Sequence, residues 1–127
     1  MSEAVTRGIR VEVLSLYSPE HSRVQDGQWV FQYTVRITNQ SEDTVQLLSR
    51  HWLITDSDGK VVEVKGLGVV GHQPLLAPGE HFEYTSGSRI ATPTGSMRGT
   101  YFCVAEDGER FEADIPEFAL SMPRTLH

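Results

Sequence analysis

Trp29-Val30-Phe31-Gln32-Tyr33-Thr34-Val35-Arg36-Ile37-Thr38 decides the fold. Large apolar side chains stand at 29, 31, 33, 35 and 37, and Gln32, Thr34, Arg36 and Thr38 fall between them. Successive side chains of a strand point to opposite faces. This period of two therefore puts one apolar face toward a core and a mostly polar face toward water. A helix would scatter the same residues around its circumference. Upstream, Ile9, Val11 and Val13 repeat the alternation. The apolar positions then move to Leu14 and Leu16, which predicts a bulge or a strand that changes face.

Downstream, two hairpins are legible. Asp56-Ser57-Asp58-Gly59 separates Trp52-Leu53-Ile54-Thr55 from Val61-Val62-Glu63-Val64, and Glu106-Asp107-Gly108-Glu109 separates Tyr101-Phe102-Cys103-Val104 from Phe111-Glu112-Ala113-Asp114-Ile115. Asp-Gly supplies the positive φ that tight hairpin turns require. Leu76-Ala77-Pro78-Gly79-Glu80 reads as a further turn, and Ser121–His127 as a tail trailing off the last strand. Turn signals recur about every ten residues and no stretch has amphipathic helical spacing. The expected fold is all-β: a sandwich of two antiparallel sheets with about seven or eight strands. A single cysteine, Cys103, excludes a disulfide-bonded immunoglobulin domain and leaves a fibronectin type III-like, immunoglobulin-like sandwich.

The 127 residues fit one domain, which buries roughly two thirds of the surface of the open chain on folding. A formal net charge of −6, with no basic cluster, disfavours nucleic acid and anionic membrane surfaces. No apolar run is long enough to span a bilayer, so direct membrane insertion is not expected. Met1–Arg7 has no apolar signal core, and one unpaired cysteine suits a reducing compartment, so the cytoplasm is the expected location. Open sheet edges make a homodimer across a two-fold axis a possible assembly.

Few residues carry chemistry. Gly66-Leu67-Gly68-Val69-Val70-Gly71 matches G-x-G-x-x-G after a strand, but His72-Gln73-Pro74 follows where a phosphate-binding helix should begin. Gly66, Gly68 and Gly71 are the candidate phosphate-binding positions, alongside the alternative of a loop that simply turns between sheets. Arg50-His51-Trp52 combines residue types suited to contact surfaces and is the candidate partner contact. The competing reading sends Arg50 to a sheet edge to pair with a carboxylate and puts Trp52 in the core. His21, His51, His72, His81 and His127 show no metal-ligand spacing. Asp56-Ser57-Asp58-Gly59 places its glycine too early for a calcium loop. His21, Ser22 and Asp26 share one polar loop without an oxyanion-hole motif. No catalytic residue, metal site or cofactor is expected.

Longer blocks resemble the ApaG (CorD) family: Val45-Gln46-Leu47-Leu48-Ser49-Arg50-His51-Trp52-Leu53-Ile54-Thr55-Asp56, then Val64-Lys65-Gly66-Leu67-Gly68-Val69-Val70-Gly71-His72-Gln73-Pro74, then Thr92-Pro93-Thr94-Gly95-Ser96-Met97-Arg98-Gly99 and Ile115-Pro116-Glu117-Phe118. The resemblance covers nearly the whole chain and implies a single ApaG domain over 3–127 with a fibronectin type III-like fold. It also implies a bacterial protein associated with cobalt resistance and magnesium efflux. Eukaryotic relatives carry the domain as a protein-interaction module, and the family's glycine motif has prompted a pyrophosphate-binding proposal. Leu67 stands where the family pattern leads one to expect Glu.

Overall fold

In the computed structural model, which describes residues 1–122, the chain runs through β1 (Ser2–Thr6), β2 (Ile9–Tyr17), β3 (Trp29–Asn39), β4 (Val45–Asp56), β5 (Val61–Leu67), β6 (Leu75–Leu76), β7 (His81–Ile90), β8 (Thr94–Ala105) and β9 (Arg110–Ser121). Two short 3-10 turns, Pro19–His21 and Val24–Asp26, interrupt the connection before β3. The tail from residue 123 onward, with His127, lies outside the described residues. One antiparallel sheet has the order β1-β2-β3-β7, and the other has β5-β4-β8-β9 with β6 also paired to β4. This is the fibronectin type III-like sandwich that the alternation requires. The two-residue β6 escapes a sequence reading because it is too short to show a period.

The alternating run forms β3, with Phe31, Tyr33, Val35 and Ile37 buried on one face. Trp52 meets them from the opposite sheet. Its ring lies 5.4 Å from Tyr33, 6.0 Å from Phe118 and 6.4 Å from Tyr101, centroid to centroid. Burying each such side chain contributes roughly 1.5–3 kcal/mol, and tilted or edge-on ring pairs add about 0.5–1.5 kcal/mol.

The change of face expected near Leu14 does not occur. β2 pairs with β3 from Ile9 to Tyr17 without a register shift, so Ile9, Val11, Val13 and Tyr17 keep one face. Tyr17 packs on Phe31, while Leu14 and Leu16 point outward, 48% and 62% exposed. The bulges lie elsewhere. One falls between Leu47 and Ser49 of β4, where Leu48 is the extra residue opposite β8. Another falls where β8 passes from Met97 to Gly99: Arg98 faces two residues of β9, Pro116 and Glu117. Proline cannot donate to a ladder, so a bulge accommodates it.

The two long sides of the sandwich differ. On one side β1 and β2 pack against β9. Thr6 Oγ1 accepts a 3.0 Å bond from the Asp114 amide, and Ser15 Oγ donates a 2.9 Å bond to the Ala119 carbonyl. On the other side β5 and β7 end their sheets, with no further strand among the described residues paired to them.

Trp52→Ala is expected to lower unfolding stability by about 3–5 kcal/mol, because it removes the ring that three aromatic neighbours share. Its outward neighbour, in His51→Ala, should shift stability by less than about 1 kcal/mol. Urea unfolding of both variants checks the pair.

Candidate functional site

The bulge at Leu48 sets the phase of β4. Before it, Val45 and Leu47 are buried; after it, Arg50 stands opposite buried Tyr101, and Trp52 lies in the core. His51 therefore faces outward, where its Nε2 contacts Glu63 Oε2 at 2.9 Å. That contact, followed by the charge of Lys65, holds the Glu63 carboxyl below its ordinary range. The three candidate contact residues thus do not share a face. Trp52, 3% exposed, offers a partner no surface and is corrected to a core residue.

Arg50 is the residue that the fold uses most unexpectedly. Its guanidinium crosses beneath β5 at Gly66 and Nη1 donates to the Leu67 carbonyl at 3.0 Å and the Gly68 carbonyl at 2.9 Å. It reaches the sheet edge, but its acceptors there are carbonyls, not a carboxylate. Gly66 is required by this crossing: a Cβ there would stand 2.8 Å from both Nη1 and Nη2. The two features singled out in the sequence, Arg50 and the glycine run, therefore meet as one structural unit.

The rest of the loop is built on the same bulge. The Leu48 carbonyl accepts both the Gly68 amide at 2.8 Å and the Gln73 side-chain amide at 2.9 Å. Gly68 has φ +65° and passes so close to the His72 carbonyl that a side chain would collide with it. Val70 at φ +42° and Gly71 at φ +83° form the turn between Val69 and His72, whose amides and carbonyls bond to each other at 2.8 and 2.9 Å. Positive φ at both central positions defines a tight type I′ turn. A β-branched residue such as Val70 adopts it only under constraint. Val69 supplies that constraint, fully buried in the core.

These bonds bear on the phosphate reading of Gly66, Gly68 and Gly71. An anion nest needs free, converging amides or a helix N-terminus. Here the amides of Gly68, Val69 and His72 already donate to protein carbonyls, and β6 follows where a phosphate-binding motif has its helix. Each glycine is accounted for by the path of the chain.

Behind Arg50 lie three tyrosines. The Tyr84 and Tyr101 hydroxyls bond to each other. Burial pushes both above the ordinary tyrosine range, and the Arg50 charge opposes that shift weakly. Tyr33 is raised for the same reason, against a bond to Ser86. Cys103 is 2% exposed, and burial alone pushes its thiol up to about 12, far from the depressed value of a reactive thiolate. Ser18 Oγ contacts His21 Nδ1 at 2.7 Å, a pair that the sequence did not single out. The nearest carboxylate, Glu20, lies 3.7 Å from that same nitrogen. A relay needs it on the opposite ring nitrogen. Ser22 spends its hydroxyl on the Ser18 carbonyl and accepts from the Val30 amide. Among the described residues, no three His, Cys, Asp or Glu side chains gather as a metal site.

What the sequence left unremarked is the surface of this unit. Val61, Val62, Val64, Leu67, Val70 and Leu75 are all exposed, from 36% to 79%, along β5, its loop and β6. Only their position on an outermost strand makes them notable, and sheet order is not legible locally.

The chain is an all-β sandwich with a braced loop at one open edge. The ApaG domain model matches residues 19–105. Protein ApaG of Ralstonia nicotianae is 62% identical over 119 residues, covering 94% of this chain and 96% of that relative. Protein ApaG of Aromatoleum aromaticum is 52% identical over 127 residues, the full length of both chains. A solved Bordetella pertussis chain, named ApaA, superposes with a TM-score of 0.89 at 59% identity, covering 92% of this chain and 95% of that one. The chain belongs to the ApaG family.

Two outcomes test this geometry. Arg50→Ala and Gly66→Ala should each cost about 1–3 kcal/mol, since both remove the guanidinium from its carbonyls. Gly66→Ala should be nearly neutral when added to Arg50→Ala, a non-additivity that urea unfolding of the four proteins would reveal. The tyrosines make the fold alkali-sensitive. An unfolded tyrosine ionises near its ordinary value of 10.0, and the folded ones above it. Their neutral-state contribution is complete below pH 10 and is lost as pH rises toward the folded values. Urea midpoints and phenolate absorbance followed across alkaline pH check the sign.

Proposed function

We propose that this chain is a non-enzymatic protein-interaction module that serves divalent-cation homeostasis, in Co²⁺ resistance and Mg²⁺ efflux, by docking on another protein in the cytoplasm. One observation carries the reading: the exposed apolar side chains from Val61 to Leu75 gather along one open edge of the sandwich. Exposed apolar side chains gathered at an open strand edge mark docking sites, because covering them releases water. Arg50 and Val69 hold the loop in place beforehand, so little ordering entropy is lost on contact. Leu67, where the family pattern leads one to expect Glu, adds to that patch and is 79% exposed. No helix among the described residues is long and apolar enough to cross a membrane. In this reading a partner, not this chain, moves the ions.

Affinity capture from cytoplasm, read by mass spectrometry, tests it. Leu67→Asp should strip partners that wild type retains, while Thr85→Asp on β7, the edge of the other sheet, should retain them. An unchanged partner set on folded Leu67→Asp protein would count against the reading.

A further inference from the structure

The open edge of β5 has a pattern that fits one particular occupant. Asp56 donates its amide to the Lys60 carbonyl, and Gly68 donates to the Leu48 carbonyl, at the two ends of the β4–β5 ladder. Antiparallel ladders alternate, so the even-numbered residues between them turn their backbone groups toward β4. Val61, Glu63, Lys65 and Leu67 then turn theirs outward, with no strand among the described residues to receive them. The Leu67 carbonyl accepts from Arg50 and still has a second lone pair.

We infer that this edge pairs with the same edge of a second copy of the chain, antiparallel and centred on Val64. The inference rests on reading β5 as a docking surface. About that centre the strand is self-complementary. Glu63 stands opposite Lys65 of the second copy and Lys65 opposite its Glu63, so each backbone-bonded pair carries opposite charges. Val61 stands opposite Leu67 and Val64 opposite Val64, which covers side chains that are 36–79% exposed in the free chain. Glu63 and Lys65 are 53% and 67% exposed; within one chain they stand 3.8 Å apart, with Glu63 also on His51 at 2.9 Å, and the contacts across copies extend this surface ion pair.

Charge also selects the register. The neighbouring backbone-compatible alignments are centred on residue 63 or 65, and they place Glu63 against Glu63 or Lys65 against Lys65. Like charges directly opposite destabilise a strand pair. The other open edge lacks this pattern: the exposed side chains of β7 are His81, Glu83, Thr85 and Arg89, the polar dressing that keeps an edge unpaired. A single strand pair is a small interface, so the dimer should be of roughly micromolar affinity.

Sedimentation velocity on the purified full chain, across micromolar to millimolar concentration, tests the pairing. Wild type should shift from monomer to dimer. Glu63→Lys and Lys65→Glu should each raise the dissociation constant at least about tenfold, since each creates two like-charge contacts per dimer. The Glu63→Lys/Lys65→Glu double variant should recover wild-type association. A mixture of the two single variants should form a heterodimer that neither forms with itself. Wild type that stays monomeric overturns the proposal, as does a dimer indifferent to these reversals. A monomeric chain that still loses captured partners on Leu67→Asp overturns the pairing alone. A charge-dependent dimer whose captured partners ignore Leu67→Asp supports the pairing and removes the interaction-module reading.

Discussion

Leu48 is one residue more than the β4–β8 ladder can pair, and the surrounding structure is arranged around that excess. Without it, the phase set by Val45 and Leu47 would carry Ser49, His51 and Leu53 inward. With it, Arg50 and Trp52 turn toward the core and His51 toward water. A bulge also takes a carbonyl out of its ladder, and here Gly68 and Gln73 satisfy it. The strand defect and the loop after β5 therefore specify each other. A change to either leaves a polar group of the other without its partner.

Arg50 is the second half of that coupling. An arginine turned toward a core must satisfy its donors or carry its charge outward. This one does both. It passes under a strand at the only kind of residue that leaves room, and it ends on two carbonyls at the edge. The glycine run that superficially resembles a nucleotide fingerprint serves this passage and the turn beyond it. Strain at Val70 is tolerated because Val69 is anchored in the core on one side and His72 packs on Phe82 on the other.

The edges of the sandwich follow different rules. β9 lies against β1 and β2, β7 presents polar side chains, and β5 alone combines an open backbone with exposed valines and a leucine. Proteins usually blunt such an edge, since unpaired strands invite association. Leaving it apolar, and bracing it from beneath, is what the proposed docking role calls for.

Much of the architecture was legible from the residues. Period-two spacing placed the inner face of β3, Asp-Gly pairs placed two hairpins, and the missing helix after Gly71 already told against a phosphate fingerprint. These features are local: a strand's faces and a turn's φ follow from neighbours a few residues apart. The residues near Leu14 predict a bulge or a change of face; the bulges fall instead at Leu48 and between Met97 and Gly99. Apolar residues on both faces fit either phase, and only pairing with the adjacent strand decides which applies. The same is true of Arg50, Trp52 and the β5 edge. A guanidinium's acceptors, a tryptophan's burial and a strand's place in its sheet depend on residues distant in the chain. The sequence by itself determined an all-β sandwich, because face alternation and turn chemistry are local. Tertiary structure alone decided that Gly66 makes room for Arg50 and that exposed apolar side chains line one open strand, because both depend on residues distant in the chain.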